Sequence, residues 1–154
     1  MTNNNSLTTF EEVIQQHGVL IYENVGDSMM PLIKQGRDKM VIVKKPEGRL
    51  KKYDVPLYKR DNGQYVLHRI VEVRENDYVI VGDNRWALEY GITDEQIIGV
   101  LSAVIRKGKT LSVTDRQYQR YVSLWCGCLS LRRAILWTFS LPMRIRRKIR
   151  KMTR

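Results

Sequence analysis

The feature that most constrains the fold lies between residues 55 and 81. Three segments there, 55–60, 65–74 and 77–81, are rich in β-branched and aromatic residues and are separated by Asp61-Asn62-Gly63 and Glu75-Asn76. Both separators suit tight hairpins, because Asn, Asp and Gly adopt the turn conformations that antiparallel strands require. Strands at 19–25, 40–44 and 97–106 extend the pattern, with Pro46-Glu47-Gly48 and Gly108 as turn signals. The chain thus reads as a mainly β body of antiparallel strands, without internal repeats. Residues 8–17 add one short N-terminal helix. Thr9 and Glu12 have capping-box spacing, Phe10, Val13, Ile14 and His17 recur at helical intervals, and Gly18 is placed to end it. Such a helix is too short and too polar to cross a bilayer.

At 154 residues the chain is the size of one ordinary domain, which we divide into the helix (1–18), the β body (19–115) and a tail (116–154). Charge separates the last two. Residues 1–115 hold 16 Lys/Arg and 16 Asp/Glu, whereas residues 116–154 hold 11 Lys/Arg and no acid, so the whole net charge of +11 belongs to the tail. A hydrophobic content of 43% with 28% charged residues excludes a disordered polyelectrolyte and a multi-span membrane protein. Two cysteines cannot form a disulfide framework, and residues 1–9 are polar, with no apolar run of a secretory signal. Cys126 and Cys128 are too close in sequence for an unstrained disulfide, and they lack a second ligand pair for a metal; buried thiols are the expectation.

The tail contains two apolar runs, 121–131 and 134–143, divided by Arg132-Arg133 and followed by MRIRRKIRKMTR. A single span would place both arginines near the bilayer centre, at roughly 2.5–3.5 kcal/mol each. An interfacial or hairpin arrangement costs less, with Trp125, Trp137 and Phe139 at headgroup level and the basic end on anionic lipid. The expectation is a helical tail that associates with an anionic membrane surface, its sidedness open. Core-packing helices are the alternative. Specific nucleic-acid binding is not expected, since the arginines are interleaved with apolar residues instead of forming a polar stripe.

Chemistry concentrates in three places. In Val25-Gly26-Asp27-Ser28-Met29-Met30-Pro31, a serine follows a strand, a glycine lets backbone approach, and a proline fixes the turn. This can present a hydroxyl beside free backbone N–H groups, or it can be an ordinary Asp-Ser turn. Of the two histidines, His17 sits at a helix C-terminus, where an imidazolium meets the macrodipole favourably. His68 lies inside VLHRIVEV, on a strand face with Val66 and Ile70; it is either a hydrogen-bonded core histidine or a general base. Asp83, in Val81-Gly82-Asp83-Asn84-Arg85, and Glu89 beyond it are the acids that could orient an imidazole.

In this order, GDSMMP, LKKYDV, VLHRIVEV and VGDNR resemble the motifs of the signal peptidase I and LexA-like serine peptidase superfamily. The resemblance covers residues 18–106 and implies a fold of coiled antiparallel β-sheets with endopeptidase chemistry. Ser28 matches the nucleophile, followed by Met29. The base position, lysine in most members, holds His68, as in the Ser/His variant of signal peptidases, with Arg69 after it. Asp83 and Asn84 match the GDN motif, and Glu89 stands where the His-type enzymes carry a further acid, usually aspartate. Gly26 lacks the side-chain oxyanion donor that many signal peptidases have two residues before the nucleophile, which leaves the role to backbone N–H groups, including that of Ser28. Lys59-Arg60 imitates a lysine-arginine base motif but leads into a turn. The implied substrate is a precursor or leader peptide, and the chemistry requires no metal or organic cofactor. Two other readings stay open: a self-cleaving repressor-like peptidase, and a non-catalytic membrane- or RNA-binding module on the same fold.

Overall fold

The structure, a computed structural model, describes residues 9–127. The helix α1 (Phe10–His17) is capped as its sequence dictates. Thr9 accepts from the Glu12 N–H while the Glu12 carboxylate accepts from the Thr9 N–H, and Gly18 closes the helix in the left-handed region. Ile14 is its buried residue.

Among the described residues nine strands follow: β1 (Val19–Glu23), β2 (Asp38–Lys44), β3 (Pro56–Lys59), β4 (Tyr65–Leu67), β5 (Arg69–Val73), β6 (Tyr78–Val81), β7 (Glu89–Ile92), β8 (Ile97–Arg106) and β9 (Lys109–Ser112). The mainly β, antiparallel character read from the sequence holds. One sheet runs β1-β2-β8-β3-β4, with β9 also on β8; the other runs β5-β6-β7. β8 is the spine of the larger sheet. It pairs along its length with β2, from Asp38↔Arg106 to Lys44↔Gly99. On its other side it takes β3 near its start and β9 near its end.

The Asp61-Asn62-Gly63 hairpin joins β3 to β4, with the Gly63 N–H on the Arg60 carbonyl and the Gln64 N–H on Asn62 Oδ1. The segment 65–74, in contrast, is not one strand. It breaks at His68, and its halves belong to different sheets. The alternation that placed Val66, His68 and Ile70 on one face therefore fails: Val66 is half-buried, Ile70 lies in the core of the second sheet, and His68 stands at the corner between sheets. β7 and β9 were not visible in the sequence, both being four residues long and weakly apolar.

The main core gathers Ile14 from α1, Leu20, Met40, Ile42, Leu57 and Val104 from the larger sheet, and Met29 and Ile33 from the connection between β1 and β2. A second cluster, including Tyr58, Ile70, Tyr78 and Ile80, lies under the smaller one. The segment expected to begin a separate tail at 116 instead starts by packing onto the body. Helix α2 (Arg116–Tyr121) and the π-helical turn Val122–Cys126 bury Tyr118, Val122 and Cys126 in the main core. Among the described residues no helix is long and apolar enough to cross a membrane. The expectations for Cys128, Trp137, Phe139 and the basic terminus lie outside the described residues.

Candidate active site

Ser28 lies in the turn after β1 that the sequence singled out, and it is partly exposed, while Met29 beside it is fully buried and anchors the turn in the core. Gly26 has φ +92°, a conformation few other residues adopt without strain; its N–H is held by Gln35 Oε1 and its carbonyl by Asn24 Nδ2. Among the described residues no acceptor engages the Ser28 N–H. That donor is free for a developing oxyanion.

His68 is 7% exposed and lines, together with Ser28, one groove of about 530 Å³. Its Nδ1 is 2.8 Å from Glu89 Oε1. Because an ionised carboxylate can only accept, Nδ1 carries the proton, and Nε2 keeps its lone pair. Nε2 in turn approaches Gly82. A Cβ there would lie 3.0 Å from Nε2 and 2.8 Å from the Ser28 carbonyl oxygen, so the absence of a side chain at 82 lets the imidazole and the serine turn converge.

Glu89 is itself held in place. Tyr58 Oη donates to its Oε2 at 2.9 Å, Arg60 Nε donates to the same oxygen at 2.9 Å, and an Arg60 Nη is 2.6 Å from Oε1. Burial alone would raise this carboxyl, but the Arg60 and Tyr58 hydrogen bonds and the facing His68 outweigh it and hold it below its ordinary value. Burial pushes the His68 imidazole below its ordinary value, with Glu89 offsetting part of the effect, so the ring is neutral at pH 7. Burial and then the Glu89 charge push the Tyr58 phenol upward, which keeps it a donor.

Asp83, the other candidate acid, is placed elsewhere. It is fully buried and accepts from Arg69 Nε at 2.8 Å and Nη2 at 2.7 Å in a fork-to-carboxylate pair. Arg69 Nη1 also donates to the Tyr53 carbonyl and to Tyr118 Oη. Burial would weaken the guanidinium charge, but Asp83 keeps it firmly protonated. Tyr121 Oη donates to Asp83 Oδ2, and Trp125 Nε1 to the Asp83 carbonyl. Asn84 reaches the Ser28 turn: its N–H donates to the Ser28 carbonyl at 2.7 Å and its side-chain amide to the Asp27 carbonyl at 3.2 Å. Arg85 pairs with Asp27 at 2.5 Å.

The structure thus brings Ser28 and His68 to one groove, with Glu89 outside it on the Nδ1 side of the ring, Gly26, Met29 and Asn84 shaping the serine turn and Asp83 behind it. Lys59 pairs with Glu11 on α1 instead of facing Ser28. Trp125, expected at headgroup level, instead packs against the main core and donates to the Asp83 carbonyl; this contact and those of Tyr58, Arg60 and Tyr121 were not legible, since each reaches a partner 29 to 42 positions away. Comparison of the chain with protein-family models, with curated proteins and with solved structures finds no match.

Proposed function

We propose that the chain is a serine endopeptidase of the Ser/His signal-peptidase type, acting on a precursor or leader peptide. One observation carries the reading. His68 is fixed by Glu89 through Nδ1, with its basic Nε2 beside the serine turn on the wall of a shared groove. The four ordered motifs support the same assignment of the antiparallel body to the signal peptidase and LexA-like fold.

In the proposed reaction, Ser28 Oγ attacks the scissile carbonyl while His68 Nε2 takes its proton. The carbonyl electrons move to oxygen, facing the Ser28 N–H, and Glu89 stabilises the imidazolium through Nδ1–H. Collapse of the tetrahedral species breaks the C–N bond, and Nε2–H returns the proton to the departing amine. Water, deprotonated by the same Nε2, then attacks the ester carbon; the C–Oγ bond breaks, Nε2–H returns the proton to Ser28 Oγ, and the acid product leaves. A neutral imidazole needs no large pKa depression for this role, unlike a lysine base. Membrane association belongs to the same proposal and rests on the eleven Lys/Arg and absence of acid in residues 116–154, interleaved with apolar runs.

A fluorophosphonate probe at neutral pH tests the enzyme reading, comparing wild type with Ser28→Ala and His68→Ala. Labelling of wild type alone, with all three chains folded, is expected. Equal absence of labelling in buffer and in lipid would favour a non-catalytic module.

A further inference from the structure

The larger sheet is open: β1 forms one edge and β4 the other, each paired on a single side among the described residues. The groove runs between these edges. Tyr22, Asn24 and Val25 line it from the β1 side and 64–68 from the β4 side, with Ser28 and His68 among its walls. Two unpaired strand edges facing one groove suit an extended peptide.

Phe10 spans the gap. Its ring centroid is 4.8 Å from that of Tyr22, edge-on, and 4.7 Å from that of Tyr65, so one side chain from α1 touches both edges. The helix that carries it is held on several sides. Glu11 accepts from Tyr65 Oη at 2.7 Å and from Lys59 at 3.1 Å, and Ile14 is buried in the core. At Gly99 of β8 a Cβ would meet Ile14 Cδ1 at 3.1 Å, so the strand lets the helix approach closely. Phe10 is therefore a fixed obstruction and not a loose side chain on a fraying terminus.

We propose that Phe10 is a specificity-determining residue: it narrows the groove between the two edges and admits only a small substrate side chain where the peptide passes it. The inference rests on the peptidase reading and adds to it a selection made away from the reacting atoms. Tyr22 precedes Ser28 by six positions, and part of that chain is turn. At about 3.3 Å per extended residue, the filtered position falls roughly four residues from the scissile bond, on one side of it.

The test is a mixed-sequence peptide library digested by wild type, Phe10→Ala and Phe10→Trp, with each cleavage mapped by mass spectrometry so that preferences on both sides of the bond are read together. In wild type, one position roughly four residues from the bond should favour Gly, Ala and Ser over Trp, Phe and Arg by at least about fivefold. Phe10→Ala should erase that preference and Phe10→Trp sharpen it, other positions being unchanged. Circular dichroism and thermal melting check that the fold survives, and the opposite direction of the two variants separates a filter from mere loosening of α1. Cleavage with the same profile in all three chains would overturn this inference and leave the peptidase reading intact. A library left whole by every chain, with no fluorophosphonate labelling of Ser28, would overturn both.

Discussion

Replacing Asp83 by Ala separates the two acids near the site by what each does. Asp83 and Arg69 are wholly buried and joined by two hydrogen bonds of 2.8 and 2.7 Å. Removing the carboxylate strands a guanidinium that cannot deprotonate, a loss of about 3–5 kcal/mol for a broken buried pair. Tyr121 Oη loses its acceptor as well, adding about 1 kcal/mol. Against a total stability of about 5–15 kcal/mol for a domain of ordinary stability, Asp83→Ala should be largely unfolded or shifted far down in urea midpoint. Urea denaturation at pH 7, followed by the fluorescence of Trp125, which bonds the Asp83 carbonyl, reads this directly. The double substitution Arg69→Met with Asp83→Leu should recover most of the loss, since apolar residues of similar volume often replace a buried pair without penalty. Recovery should be incomplete, because the hydroxyls of Tyr118 and Tyr121 then lack partners. If Asp83→Ala unfolds within about 1 kcal/mol of wild type, below the range for a broken buried pair, yet no longer takes the serine probe, Asp83 acts on the chemistry and the reasoning is wrong.

Three further outcomes follow from the same geometry. Glu89→Gln removes the carboxylate that fixes the Nδ1–H tautomer, and kcat should fall by up to about 10⁴-fold. The acid limb of its pH–rate profile should also move to lower pH, because Glu89 is the group that raises the His68 value against burial; a limb that stays in place would contradict the contact. Gly82→Ala places a methyl group 2.8 Å from the Ser28 carbonyl oxygen and 3.0 Å from His68 Nε2, so probe labelling should drop at least about tenfold, as expected for reacting groups displaced by a fraction of an ångström, while circular dichroism still shows a β fold. A chain ended after residue 115 loses the buried Tyr118 and Val122, about 1.5–3 kcal/mol for each apolar side chain, and should not fold, whereas one ended after residue 127 should melt cooperatively.

What could be read in the sequence was local. The Thr9–Glu12 cap, the Asp61-Asn62-Gly63 hairpin and the ten-residue strand 97–106 each depend on neighbours within a few positions, and each lies where expected. The corner at His68 was hidden, because an alternating strand and two strands meeting at a bend have the same residue pattern; only the partners of Leu67 in β3 and Arg69 in β6 distinguish them. The division of labour between Asp83 and Glu89 was hidden for a similar reason. Both follow His68 at plausible spacing, and the choice depends on which cation each meets, Arg69 for one and Arg60 for the other. The tail boundary at 116 followed the charge pattern, but charge is carried by the solvent-facing residues of α2, while Tyr118, Val122 and Cys126 face the core.

The His68 corner and the Ser28 turn are tied together by the short segment 81–85. Val81 pairs with Arg69, the residue after the imidazole, and Asp83 grips the Arg69 side chain. From the same segment Asn84 and Arg85 reach the backbone and carboxylate around Ser28, and bare Gly82 leaves room for both halves to meet. A shift of this turn would therefore move the His68 ring and the Ser28 turn together, preserving their mutual distance better than their separate positions. Such coupling gives the buried Arg69–Asp83 pair a use beyond stability, where a buried ion pair is often no better than apolar packing. It fixes which way the turn is presented, and Tyr121 and Trp125 extend that control to the segment that leads into the basic tail.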